Sequence, residues 1–212
     1  MKYTGIPLGM WLLFEKSFRE QLVSVLGYDK ATAKSASKTA KRKYKEIINT
    51  LPQFERDDRF QVNIVSCAML ASFVLSMPVR PDVNKLADYY AKAMMTKPME
   101  WFCRQSEKKK FSECDRLEMR ESAAKRYADR NPYSWNMDYR EYADGSGYEA
   151  RFTKCGICTL MRELGLYDLT PALCRLDYTM SDAGGAADFV RKYTLASGGP
   201  YCDCGYKRKS AK

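Results

Sequence analysis

Residues 133–152 read YSWNMDYREYADGSGYEARF, and the period of their side chains decides the fold class. Tyr133, Trp135, Met137 and Tyr139 alternate with Ser134, Asn136, Asp138 and Arg140, and after Asp144-Gly145-Ser146-Gly147 the alternation resumes as Tyr148, Ala150 and Phe152. Period 2 sends one set of side chains to a buried face and the other to solvent, and a glycine-rich tetrad between two such runs is a turn. The stretch is therefore a β-hairpin.

Upstream the period is 3.6. Residues 8–26 set Trp11, Phe14, Phe18, Leu22 and Val25 on one face and end at Gly27, and residues 29–49 do the same with Ala33, Ala36, Ala40, Tyr44 and Ile47 before Pro52. Residues 57–77 are the most apolar and are expected at the centre of a bundle. Residues 83–95 and 113–129 complete five helices, stopped near Pro98 and at Asn131-Pro132. Cys67 falls in the apolar helix as a small core residue, and Cys103 and Cys114 flank a lysine-rich loop without an assigned role. Downstream of the hairpin a helix opens at Cys155 and ends near Gly165, another starts after Thr170-Pro171, and strands follow at 187–195 and 201–207. The fold class is α+β: a helical region, 1–131, packed on an antiparallel sheet of about four strands in β-β-α-α-β-β order, 132–212, within one integrated domain.

A chain of 212 residues, 45% hydrophobic and 29% charged, buries a core without help from disulfides or metals. Its net charge of +10 is spread, +6 before residue 151 and +4 after. The densest group, Lys30, Lys34, Lys38, Lys41 and Lys45, forms one stripe on a helix. No aromatic or arginine-rich base-reading element accompanies it, so a solvated face is expected and no nucleic-acid partner. A diffuse positive field does attract a small anionic substrate. The apolar run at 62–77 is short and carries Asn63, Ser66, Ser72 and Ser76, which fits a core helix and no membrane partner. No export signal is read at the N-terminus, so the expected location is cytoplasmic, where thiols stay reduced. A homo-oligomer is compatible with all of this.

Five of the eight cysteines lie in the last third: Cys155, Cys158, Cys174, Cys202 and Cys204, with Asp177 three residues after Cys174. Cys155 and Cys158 fall at a helix start, where the dipole favours a thiolate. Cys174 and Asp177 share a helix face, and Cys202 and Cys204 share a face of the last strand. If the helix pair packs on that face, all six converge. The chain has no histidine. That excludes a Cys–His dyad, a histidine-ligated zinc and a Ser-His-Asp triad within one chain, and makes Asp177 the natural general base. Three readings stay open: catalytic thiols with no cofactor; a zinc or iron–sulfur site on Cys155, Cys158, Cys202 and Cys204; or plain core packing. A small-molecule sensor using a pocket between helix pair and sheet is a further class.

The segments FTKCGIC (152–158), LCRLD (173–177) and YTLASGGPYCDC (193–204) resemble the L-2-amino-thiazoline-4-carboxylic acid hydrolase family, whose members carry a similar Cys, a Cys-x2-Asp and a closing T-L-A-x-G-x-x-x-C-D-F stretch. Here Cys204 stands where the family usually has an aromatic residue. The resemblance implies hydrolytic opening of a small cyclic thiazoline, amidine or amide, with catalytic work among Cys155, Cys174, Asp177 and Cys202. Cys155 and Cys202 rank first as nucleophile. The substrate carboxylate needs a cation, and Arg151 and Arg191 are the candidates.

Overall fold

The computed structural model describes residues 1–55 and 57–209. In chain order the helices are α1 (Ile6–Ser24), α2 (Lys30–Thr50), α3 (Gln61–Val74), α4 (Val83–Met94), α5 (Lys97–Glu107), α6 (Glu113–Arg126), α7 (Gly156–Glu163), α8 (Thr170–Cys174) and α9 (Leu176–Gly184). The strands are β1 (Asn136–Glu141), β2 (Gly147–Lys154), β3 (Ala187–Val190) and β4 (Cys202–Arg208). The class is α+β, with the four strands in one antiparallel sheet ordered β1-β2-β4-β3. Two compact units divide the chain: Met1–Thr96 with Gly156–Leu173, and Lys97–Cys155 with Cys174–Lys212. Among the described residues no helix is long and apolar enough to cross a membrane.

The first unit is built around α3. Every residue from Ile64 to Val74 is buried, because a helix apolar on all sides has no face to give to water. α1, α2 and α7 pack against it. Aromatic rings lock α1 to α3: Trp11 stacks on Phe73 at 5.7 Å between centroids, and Phe18 meets Phe73 at 5.0 Å. α2 starts at Asp29, whose carboxylate accepts the Thr32 amide at 2.9 Å. Ala33, Ala36, Ala40, Tyr44 and Ile47 turn inward, and the five lysines of the stripe all face solvent.

The second unit contains α5, α6, the sheet and α9, with α6 against β1 and α9 against β3. Three expectations are corrected here. Pro98 does not end a helix; it sits in the first turn of α5, where its missing N–H would have had no partner, and it opens a sixth helix before the hairpin. Cys103 is buried inside that helix, while Cys114 is exposed in the first turn of α6. The third strand stops at Val190 instead of residue 195. The Asp203 carboxylate takes the amides of Lys192 at 2.8 Å and Tyr193 at 2.6 Å, and the Thr194 side chain caps a 3₁₀ turn at Leu195–Ser197. Side chains thus take the backbone groups that strand pairing needed. The helix expected to carry Cys174 and Asp177 is broken at Arg175 into α8 and α9; the Cys174 carbonyl at the break accepts from Arg191 at 2.8 Å.

Candidate active site

β4 pairs with β2 so that Phe152 lies opposite Cys202, Ala150 opposite Cys204 and Tyr148 opposite Tyr206. Side chains two apart on a strand share a face, so Cys202, Cys204 and Tyr206 form one row. Arg191, one residue beyond the end of β3, binds that row to α9. Its Nη2 donates to the Asp177 carboxylate at 2.6 Å and to Cys204 Sγ at 2.7 Å, and its Nη1 to the Cys174 carbonyl. The guanidinium also lies 4.6 Å from the Phe189 ring centroid. One planar fork therefore joins a strand thiol, a helix carboxylate and a helix end, which a lysine's single point charge does not do.

Burial differs sharply across this pair. The Arg191 side chain is 6% exposed and that of Asp177 is 44% exposed. Burial works against the Arg191 charge, but Asp177 and Cys204 outweigh it and hold its pKa above the usual value. Burial pushes the Asp177 carboxyl up while Arg191 pulls it down, with the net direction upward. Its side chain nevertheless remains 44% exposed beside its ion-pair partner.

The thiols are less ionisable. Burial pushes Cys174 well above the ordinary thiol range against the pull of Arg191. Cys204 is pushed up to about 12, first by burial and then by the Asp177 charge. Cys202 also rises through burial, although the Leu195 amide, 3.1 Å from its sulfur, favours the thiolate. Cys155, which follows β2, is close enough to Cys174 and Cys202 for its charge to push both upward. Cys155, Cys174, Asp177, Cys202, Cys204 and Arg191 are thus gathered in one unit. Cys158 belongs to the helical unit, buried in α7. Arg151 pairs in register with Asp203, on the face of β2 and β4 away from the thiol row, and donates to Glu149 at 2.5 Å.

Asp177 opens on a pocket of about 120 Å³ that Tyr206 of β4 and residues of α5 also line. Cys103, Glu107 and Lys110 were outside the expected site. Their signal lay in the spacing 103, 107, 110, one face of a helix, once Pro98 is taken as a start. Among the described residues, no group of three or more Cys, Asp or Glu side chains is arranged to hold a metal ion.

No curated protein and no solved structure matches the chain. The family comparison does match, over residues 77–206, a span that takes in α5 with its pocket residues, the hairpin, Cys174, Asp177, Arg191 and both strand thiols. By that match the chain belongs to the L-2-amino-thiazoline-4-carboxylic acid hydrolase family.

Proposed function

We propose that the protein is a hydrolase that opens a small cyclic thiazoline, amidine or amide, with Asp177 as general base. Family membership supports 2-amino-thiazoline-4-carboxylate as the substrate and N-carbamoyl-cysteine as the product. The observation that carries this reading is a carboxylate held by Arg191 on one side and 44% exposed on the other, at a pocket. A group so held is oriented, yet reaches solvent.

Asp177 takes a proton from water as the oxygen adds to the amidine-like ring carbon. Collapse of the tetrahedral intermediate breaks the bond from that carbon to the ring sulfur. The water oxygen becomes the carbonyl of the product, one of its protons ends on the ring nitrogen and the other on the departing sulfur. Burial keeps Cys174, Cys202 and Cys204 protonated at neutral pH. They are therefore not thiolate nucleophiles at neutral pH; the proton that Asp177 took from water passes to the departing sulfur, and Cys155 remains the candidate for covalent attack. Arg191 fixes the carboxylate through Nη2, with Nη1 on the Cys174 carbonyl, and its buried Nε has no hydrogen-bond partner.

The test is Asp177→Asn in a ring-opening assay. Loss of a general base lowers kcat by about 10²–10⁴, and a variant that keeps kcat within threefold would sink this assignment. Cys155→Ser separates the covalent route, since it abolishes turnover only if that thiol bonds to the substrate. The reaction as written needs water alone as co-reactant. Metal and iron analysis with an optical spectrum on reduced protein checks this: one zinc or one cluster per chain would make the thiols ligands and overturn the mechanism.

A further inference from the structure

The pocket beside Asp177 holds an acid and a base that ring opening, as written, does not use. Glu107 ends α5 and Lys110 follows in the next turn, with 11% and 15% of their side chains exposed and 3.9 Å between Nζ and Oε1. The backbone amides of Ala186 and Ala187 favour the charged form of Glu107. It fits because residue 184 is glycine: a Cβ there would stand 2.1 Å from Glu107 Cγ. Its second oxygen, Oε2, is buried without a hydrogen-bond partner. An oxygen buried without a donor is costly to leave unsatisfied, and the soft terminal torsion of a glutamate lets the carboxyl turn toward a donor in the pocket. Burial pushes the Glu107 pKa up, against Lys110, which a cationic ligand would help reverse.

Lys110 is held as firmly. Its ammonium lies 3.4 Å from the Tyr206 ring centroid and 5.5 Å from that of Tyr148. The next residue, Phe111, has φ 63, the only positive φ at a non-glycine among the described residues. A left-handed backbone at a bulky residue is strained and persists only where its surroundings impose it. Here Asp115 accepts the Phe111 amide at 2.7 Å and the Tyr148 hydroxyl at 2.6 Å, and Arg208 lies 4.6 Å over the Phe111 ring. The strained turn sets the direction of Lys110.

We propose that this pocket recognises the substrate as a small zwitterion, whose amidinium or ammonium nitrogen donates to Glu107 and whose carboxylate lies against Lys110, leaving the reacting carbon at Asp177. The inference rests on the ring-opening reading for what happens at Asp177, but not for binding. At about 120 Å³ the pocket is smaller than the roughly 300–1,000 Å³ of drug-sized sites, so the occupant is a molecule of one small ring. Neither Arg191, committed to Asp177 and Cys204, nor Arg151, on the other face, supplies the cation.

The test is calorimetric titration of the full chain with 2-amino-thiazoline-4-carboxylate, 2-amino-thiazoline, which lacks the carboxylate, and thiazoline-4-carboxylate, which lacks the amino group, with turnover measured in parallel. Lys110→Met is expected to weaken the full ligand at least tenfold and to leave the probe without a carboxylate unchanged. Glu107→Gln is expected to do the mirror image, and Gly184→Ala, which displaces Glu107 without removing its charge, to follow it. Melting curves check folding, and Lys110→Gln serves if Lys110→Met does not fold. A wild type that binds none of the three, or variants that bind the full ligand within twofold of wild type, overturns the pocket assignment. Binding with the expected pattern but without ring opening overturns the hydrolase reading and leaves the pocket standing.

Discussion

The two units bury titratable groups in opposite ways. In the helical unit, Tyr44 and Tyr89 are buried and burial pushes both far above the usual phenol range. Each resolves its hydroxyl on one backbone carbonyl, Tyr44 on Pro7 at 2.9 Å and Tyr89 on Phe18 at 3.2 Å. Neither of these two hydroxyls is left without a partner. In the α+β unit the buried groups face one another instead: Arg191 with Asp177 and Cys204, Lys110 with Glu107 and Tyr206, Tyr148 with Asp115. Facing charges are poor value for stability, since replacing a buried pair by apolar residues is often neutral or favourable. Their arrangement is understood better as a site than as a scaffold.

This contrast is broken most severely by testing each unit for the other's role. Phe73→Ala in α3 removes a fully buried ring and should cost about 3–5 kcal/mol, read as a lower melting temperature, while kcat per folded molecule stays unchanged. A fall in kcat of the folded variant would mean that the helical unit does more than hold itself together. Arg191→Lys makes the converse case. It keeps the charge and loses most of the bonds to Asp177, Cys204 and the Cys174 carbonyl, so roughly 2 kcal/mol of stability should go. Turnover should fall about 10–100-fold if Asp177 is the base; equal kcat would leave Arg191 a structural clasp only.

The helical unit was legible almost throughout because one-sided or all-round apolarity at period 3.6 is a local signal, and Phe18, Tyr44 and Ile64 obey it. The hairpin was legible for the same reason at period 2. What escaped were decisions made by side chains on backbone. Asp203 binding the amides of Lys192 and Tyr193 ended β3 early, and Pro98 has two meanings, stop or start, that only the following turn resolves. The gathering of Cys174, Asp177 and Cys204 followed from spacing, but the agent that binds them, Arg191, was read as a substrate cation. Arg151 was the other candidate cation, and its odd offset from Phe152 sends it to the face away from the thiol row. Glu107 was missed because its helix was, and Lys110 was read only as part of the lysine-rich loop.

A smaller effect separates the units by pH. An ordinary thiol ionises near roughly 8.5, and Cys204 is raised to about 12 in the fold. The folded state then holds a proton that the unfolded state has lost, so this contribution to stability is complete below the unfolded pKa and is lost as pH rises toward the folded one. The slope is about 1.4 kcal/mol per pH unit for one such group. Cys204→Ser keeps an acceptor for Arg191 and cannot titrate there, so its denaturation midpoints should fall less steeply than those of wild type between pH 9 and 12. Parallel curves would mean that the buried tyrosines, not this thiol, carry the alkaline loss.

The smallest effect is expected where the charge is greatest. Lys30, Lys34, Lys38, Lys41 and Lys45 are all exposed on α2, and like charges one turn apart repel by a few tenths of a kcal/mol. Lys38→Glu with Lys41→Glu should therefore change stability by less than about 0.5 kcal/mol, slightly upward at low salt, and should leave turnover alone. The same variant tests whether the stripe has a partner. A phosphate-tracking face would give wild-type binding to duplex DNA that weakens steeply between about 50 and 200 mM salt, and reversing two charges at its centre would remove it. A solvated face predicts no binding to lose, which would put the molecule's useful positive charge at Arg191 and Lys110, two side chains held in place by carboxylates and rings, and not in the five that nothing on α2 constrains to a ligand.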